Sequence, residues 1–321
     1  MAFEDNLGHD SSQPIGQDYT VSATGLISRT LSLLTSKFVH YIIIVGIAGA
    51  ASVILSYVLL YALLGLIGVI TADPFGYFIS NFLMAPSLDI VLLGVLVGYA
   101  IFAFVLNAIL GGAAIKFTLD EYGGTIGDVG TSFSRSFRRF PTIIMVQLLT
   151  SAMVAIAITP ATILSARAMA MIDITDITDP FDLIFPQGFM EMLLLSFVLL
   201  AVGGLFLAYF QTRLAPTLAI VLDTDLSAID SFKKSWELTS GNFMHVFGST
   251  ILLGIVAFVL TLIVSIFTTM TLLPAATTLV IDAVITTLLF GALTYIFTVV
   301  LYRDLSSRKG TSTSTLPEYL L

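Results

Sequence analysis

The sequence predicts an all-α, polytopic integral membrane protein. Three observations predict it: six long apolar runs, a one-sided distribution of basic residues, and a pattern repeated three times. Of 321 residues, 57% are hydrophobic and 11% charged, and mean hydropathy is +1.01. Soluble domains are about 25% charged. A chain this apolar cannot cover itself in water, so its solvent is largely lipid. A formal net charge of −8 argues against nucleic acid as a partner. The absence of cysteine excludes disulfides, thiolate metal sites and cysteine nucleophiles. Asp outnumbers Glu and Arg outnumbers Lys, a hint of a salt-adapted prokaryote.

Residues 1–20 read as a flexible acidic tail carrying Glu4, Asp5, Asp10 and Asp18, without the basic start or apolar core of a signal peptide. A second polar tail covers 306–321. Between them, 21–305 is read as one transmembrane domain. Its six apolar stretches, 42–70, 88–115, 141–166, 189–214, 244–272 and 276–302, each exceed the roughly 20 residues a helix needs to span. Gly94-Val-Leu-Val-Gly98 has the small-xxx-small spacing that packs helices inside one subunit, with a dimer face as the alternative.

Arg29 and Lys37 precede the first span. Lys116, Arg135, Arg138 and Arg139 lie between spans two and three. Arg213, Lys233 and Lys234 lie between four and five, and Arg303, Arg308 and Lys309 follow the sixth. These are 12 of the 13 basic residues, leaving Arg167 alone on the other side. By the positive-inside rule the rich side is cytoplasmic, which puts both termini on the cytoplasmic side of the cell membrane.

A pattern of apolar, polar, basic, hydroxyl, apolar precedes every odd span: Ile27-Ser28-Arg29-Thr30-Leu31, Phe133-Ser134-Arg135-Ser136-Phe137 and Phe232-Lys233-Lys234-Ser235-Trp236. Apolar stripes extend each one at helical spacing: Ile27, Leu31, Leu34 and Phe38; Ile126, Val129, Phe133, Phe137 and Phe140; Ile229, Phe232 and Trp236. Each reads as a short cytoplasmic amphipathic helix. Thr125 with Asp128, and Ser227 with Asp230, have capping-box-like spacing at the two later starts. The stripes are expected to enter the headgroup layer or to pack on the spans, with basic residues meeting anionic lipid and Trp236 as an interfacial anchor. Every even span ends in an acid: Asp120, Asp223 and Asp304. The domain therefore reads as three helical-hairpin repeats, 21–120, 121–223 and 224–305. Chain order suggests charge pairs Asp120–Arg135, Asp223–Lys234 and, closing a ring, Asp304–Arg29. Separate solvated charges are the alternative.

The run Ala-Ile-Asp-Ser-Phe-Lys-Lys-Ser-Trp-Glu-Leu-Thr-Ser-Gly-Asn-Phe, from Ala228 to Phe243, resembles the most typical segment of the membrane domain of glycerophosphoryl diester phosphodiesterases. It also resembles that domain's stand-alone prokaryotic relatives. The ending Leu301-Tyr302-Arg303-Asp304-Leu305-Ser306-Ser307-Arg308 is similar to their closing Tyr-x-Asp-Leu-x-x-Arg. In that family hydrolysis belongs to a separate TIM barrel of about 250 residues. Only a short tail follows Asp304, so the resemblance implies architecture and no catalysis.

No catalytic residue, cofactor site or metal site is assigned. His9 lies in the tail, and His40 and His245 sit at the inner ends of spans one and five. Asp173, Asp176, Asp179 and Asp182 could bind calcium but lack the EF-hand Gly and Glu, and read as a solvated outer loop. Arg213 reads as snorkelling at the inner boundary, and Asp282 falls at the outer interface. Asn107, Gln147 and Gln211 are the polar residues left inside spans, for interhelical hydrogen bonds or a substrate cavity. The leading expectation is a non-enzymatic protein that organises lipid or a membrane partner through its interfacial helices. A transporter or channel for a small or amphiphilic solute is second. An intramembrane lipid enzyme is third, for lack of a catalytic set. A polar cavity holding Asn107 or Gln147 would favour transport.

Overall fold

The structure, a computed structural model, describes residues 19–46, 49–50, 53–57, 89–171, 188–270 and 275–310. The chain enters through α1 (Ala23–Ser36), α2 (Phe38–Tyr41) and a π-helical turn, Ile42–Gly46. Then come α3 (Asp89–Tyr122), α4 (Val129–Met169), α5 (Phe189–Leu214), α6 (Thr217–Asp223), α7 (Ala228–Thr239), α8 (Phe243–Thr269) and α9 (Ala275–Arg308). Every element among the described residues is helical. Among the described residues, five stretches are long and apolar enough to cross a membrane: Val97–Tyr122, Val129–Ala168, Phe189–Asp223, Phe243–Thr269 and Val280–Arg308. They fall on the second to sixth apolar runs. Most of the first run, 42–70, lies outside the described residues, as does the Asp173–Asp182 loop.

Two local expectations are corrected. The segment before the third run is no separate helix. It continues into the span as the 41-residue α4, with Pro141 and Pro160 inside. At about 1.5 Å per residue α4 is about 60 Å long, roughly twice the apolar core of a bilayer. Proline is tolerated in such helices when neighbouring groups satisfy the freed carbonyls. The cap of α4 is Asp128, which accepts the Thr131 amide at 2.7 Å. Thr125 bonds instead to the Asp120 carbonyl at 2.9 Å. At α7 the expected cap forms: Ser227 accepts the Asp230 amide at 3.2 Å and donates to the Asp230 carboxylate at 2.7 Å.

Pro216 cannot donate a backbone N–H, and the chain breaks there between α5 and α6. The core gathers at the end where the C-terminal parts of α3 and α9 meet α1 and the buried α6. Leu26, Phe117, Ile220 and Leu301 are fully buried there. Away from that end the long helices turn apolar side chains outward: Leu205, Phe267 and Met270 are 74%, 68% and 76% exposed. Burying such surface is worth about 25 cal/mol per Å² in water, so faces like these suit an apolar solvent. Helices α4 and α5 approach closely at Gly203, where an added Cβ would collide with the Ala157 carbonyl. Gly94 and Gly98 make no comparable approach among the described residues, where a Cβ added at either meets nothing within 4 Å.

Candidate functional site

The two short helices at the core end bury different kinds of face. In α1, Leu26, Ile27, Thr30 and Leu34 are buried, so part of the apolar stripe packs into the protein. In α7, the buried residues are Ala228, Ser231, Ser235, Leu238 and Thr239, a face dominated by small and hydroxyl side chains. Two residues of the α7 stripe stay outward, Ile229 61% and Trp236 38% exposed, while Phe232 packs against the core. At the start of α4, Val129, Phe133 and Phe140 pack against the core, while Ile126 and Phe137 are exposed.

One position behaves alike in all three patterns. Thr30, Ser136 and Ser235 are each fully buried. Ser136 donates to the Ile109 carbonyl of α3 at 2.8 Å. Room for it comes from Gly112, where a Cβ would strike the Ser136 hydroxyl. Ser235 donates to the Arg213 carbonyl of α5 at 2.7 Å. That carbonyl is in the last turn of α5, which has no intrahelical donors left. Thr30 donates within α1, to Leu26 at 2.8 Å.

The acids are brought to this end, but with partners other than those expected. Asp304, fully buried, accepts the Val21 amide at 2.8 Å and Arg308 Nε at 2.9 and 3.1 Å, and lies 2.9 Å from His245 Nε2. It thus ties the chain just before α1 to α9, through a main-chain amide and not through Arg29. Arg29 donates to the Tyr122 phenol at 2.7 Å. Asp120 pairs with Lys116, one turn back on its own helix, and not with Arg135. Asp223 accepts Tyr302 at 2.8 Å and Arg303 at 3.3 Å, while Lys234 pairs with Glu237 at 3.4 Å. Arg135 and Arg139 converge on the exit of α6. Arg135 reaches the Leu222 carbonyl at 3.4 Å and Asp225 at 3.2 Å, and Arg139 reaches the carbonyls of Val221 at 3.3 Å and Leu226 at 3.2 Å. Orphan carbonyls at a helix C-terminus and its dipole both favour cations. That attraction takes Arg135 away from Asp120.

Arg213, at the end of α5, is held by rings and not by a carboxylate. Its Cζ lies 5.5 Å from the ring centre of Tyr209, 5.1 Å from Trp236 and 5.2 Å from Phe243. Its Nε and Nη1 are buried without a hydrogen-bond partner. Trp236 therefore serves α5 as well as the outer surface. Beside this cage an apolar groove of about 490 Å³ runs between Leu149 and Met153 of α4, Phe210 and Leu214 of α5, and Phe232 and Trp236 of α7. Lys233 also lines it. The ammonium of Lys233 is 3.4 Å from Asp230, and both side chains are solvent-exposed. Asp230 is held below the usual carboxylate range, first by the Ser227 hydroxyl and then by Lys233.

Asn107, Gln147 and Gln211 do not line this groove. Asn107 and Gln211 are exposed. Gln147 is half-buried, with its Oε1 enclosed and unpartnered. The Thr268 hydroxyl lies 3.3 Å from Asp282, at the far end of α8 and α9. The Arg213 cage escaped sequence reasoning because its rings come from three helices. The one signal was Trp236 itself.

The family model described as Domain of unknown function (DUF7847) matches residues 136–305, which is 170 of the 321 residues. The chain belongs to this family. The family match begins on the buried hydroxyl Ser136 and takes in Arg139, Arg213, Trp236, His245 and Asp304. Helix α1 lies outside it. No curated protein and no solved structure matches the chain.

Proposed function

We propose that the chain is a non-enzymatic, six-span protein of the cell membrane that organises lipid, or a membrane partner, through interfacial segments at its basic end. Both termini face the cytoplasm in this reading, on the strength of the 12 basic residues gathered on one side. Three hairpin repeats build it. The equivalent burial of Thr30, Ser136 and Ser235 supports that assignment. So does the resemblance to the membrane domain of glycerophosphoryl diester phosphodiesterases, whose Ser-Trp signature falls on α7.

The observation that carries the reading is the exposure of Ile229 and Trp236 on α7. A helix whose protein side is largely small and hydroxylated, and whose free side is apolar and flanked by lysines, suits the headgroup boundary. Cations there are drawn to anionic lipid. The transport alternative would need a shared polar cavity, and Asn107 and Gln211 lie exposed instead.

Electron spin resonance of the reconstituted protein tests the proposal. Spin-labelled phosphatidylglycerol is expected to show a larger motionally restricted fraction than spin-labelled phosphatidylcholine. Equal fractions would contradict it.

A further inference from the structure

We infer that the groove between α4, α5 and α7 is a binding site for one anionic phospholipid, with an acyl chain along the groove and the phosphate at Lys233. The inference rests on the reading of the basic end as an interface, and goes further by naming a site, its occupant and the residues that select it.

The groove has a lipid's two-part character. Its walls are apolar and aromatic, drawn from Met153, Phe210, Phe232 and Trp236, and its volume of about 490 Å³ is ordinary for a small-molecule site. No carboxylate lines it. Lys233 lines it, and the guanidinium of Arg213 stands behind Trp236, which belongs to both groove and cage. Arg213 has no acidic partner among the described residues, whereas Arg308, Arg303 and Lys116 pair with Asp304, Asp223 and Asp120. Its three rings stabilise the cation without neutralising it. A site with apolar walls, an exposed lysine on its lining and a guanidinium behind its tryptophan fits an apolar chain attached to an anion. A free phosphate would use only the charge, and a zwitterionic lipid would present its own ammonium to Lys233. Lys233 contacts Asp230 only weakly, at 3.4 Å in water, so it is free to turn to a phosphate.

Trp236 is the only tryptophan and forms a wall of the groove, so its emission reports occupancy directly. The full chain is reconstituted in phosphatidylcholine vesicles carrying a small fraction of lipid brominated on its acyl chains. Brominated phosphatidylglycerol is expected to quench Trp236 at a mole fraction about fivefold lower than brominated phosphatidylcholine, the order of selectivity one surface cation supplies. Lys233→Gln, a change at an exposed side chain, should remove most of that difference. Met153→Phe, which fills the groove, should weaken quenching by the anionic lipid. Inorganic phosphate should not displace the lipid, and displacement by it would mark a simple anion site and overturn the inference. Equal quenching by the two lipids, or selectivity unchanged by Lys233→Gln, would also overturn it while leaving the interfacial reading intact. No quenching by either lipid would overturn both.

Discussion

Helices α1 and α7 carry the same five-residue pattern and turn equivalent positions of it inward, Leu26 and Ser231, Thr30 and Ser235, Leu34 and Thr239, but with different side chains. Helix α1 turns Ile27 and Leu34 of its apolar stripe into the core. Helix α7 turns Ser231 and Ser235 inward and leaves Ile229 and Trp236 out. What the two share is the buried hydroxyl, Thr30 or Ser235. An apolar stripe at helical spacing therefore says that a helix has an apolar side. It does not say whether protein or lipid covers that side. Helix α1 reads as a structural clasp, and α7 as the surface left free for lipid.

The largest test of this contrast acts on the clasp. We predict that Asp304→Ala releases the chain before α1 and strands Arg308 and His245. Removing one partner of a buried pair costs about 3–5 kcal/mol. The low end applies here, because the side chains of His245 and Arg308 keep 18% and 28% of their exposure. A thermal unfolding curve in detergent should show the loss, and an unchanged midpoint would refute the clasp. Next comes the shared hydroxyl. Ser235→Ala leaves the Arg213 carbonyl without its closest donor, at a cost of about 1–3 kcal/mol. The same unfolding assay reads it, and a neutral result would separate the burial of Ser235 from its bond.

Part of this was legible in the sequence. Apolar runs placed five long helices, since only length and composition are needed. The Ser227 cap was legible because its partners are three residues apart. The ion pairs were not. Asp304 finds a backbone amide 283 positions away and a histidine 59 positions away, and a main-chain donor leaves no mark in residue type. Arg135 answered to the carbonyls at the end of α6, which become acceptors only once Pro216 and the following turn exist. Pro141 lies inside α4 and does not end it, because a proline is tolerated where neighbours can satisfy the freed carbonyl.

Smaller effects sharpen the picture of α7. Ser227→Ala should cost about 1 kcal/mol through loss of the cap. The carboxylate of Asp230 is held low in the folded chain, so its contribution is present above its unfolded pKa and lost as pH falls through the folded value. Acidification below the usual carboxylate range should therefore loosen the start of α7 as Ser227→Ala does, which amide exchange along 228–232 would detect. Smallest of all, Ile229→Ala should change stability by no more than about 0.5 kcal/mol, the range for exposed positions. A larger loss would mean that Ile229 is covered by protein.

The outward face of α7 is expected to lie in lipid at the level of the headgroups. Fluorescence of Trp236, the sole tryptophan, measures this directly. With doxyl labels placed at shallow or deep positions of the acyl chain, the account predicts stronger quenching by the shallow label and little by aqueous iodide. Water-exposed emission that iodide quenches and neither lipid label affects would contradict it.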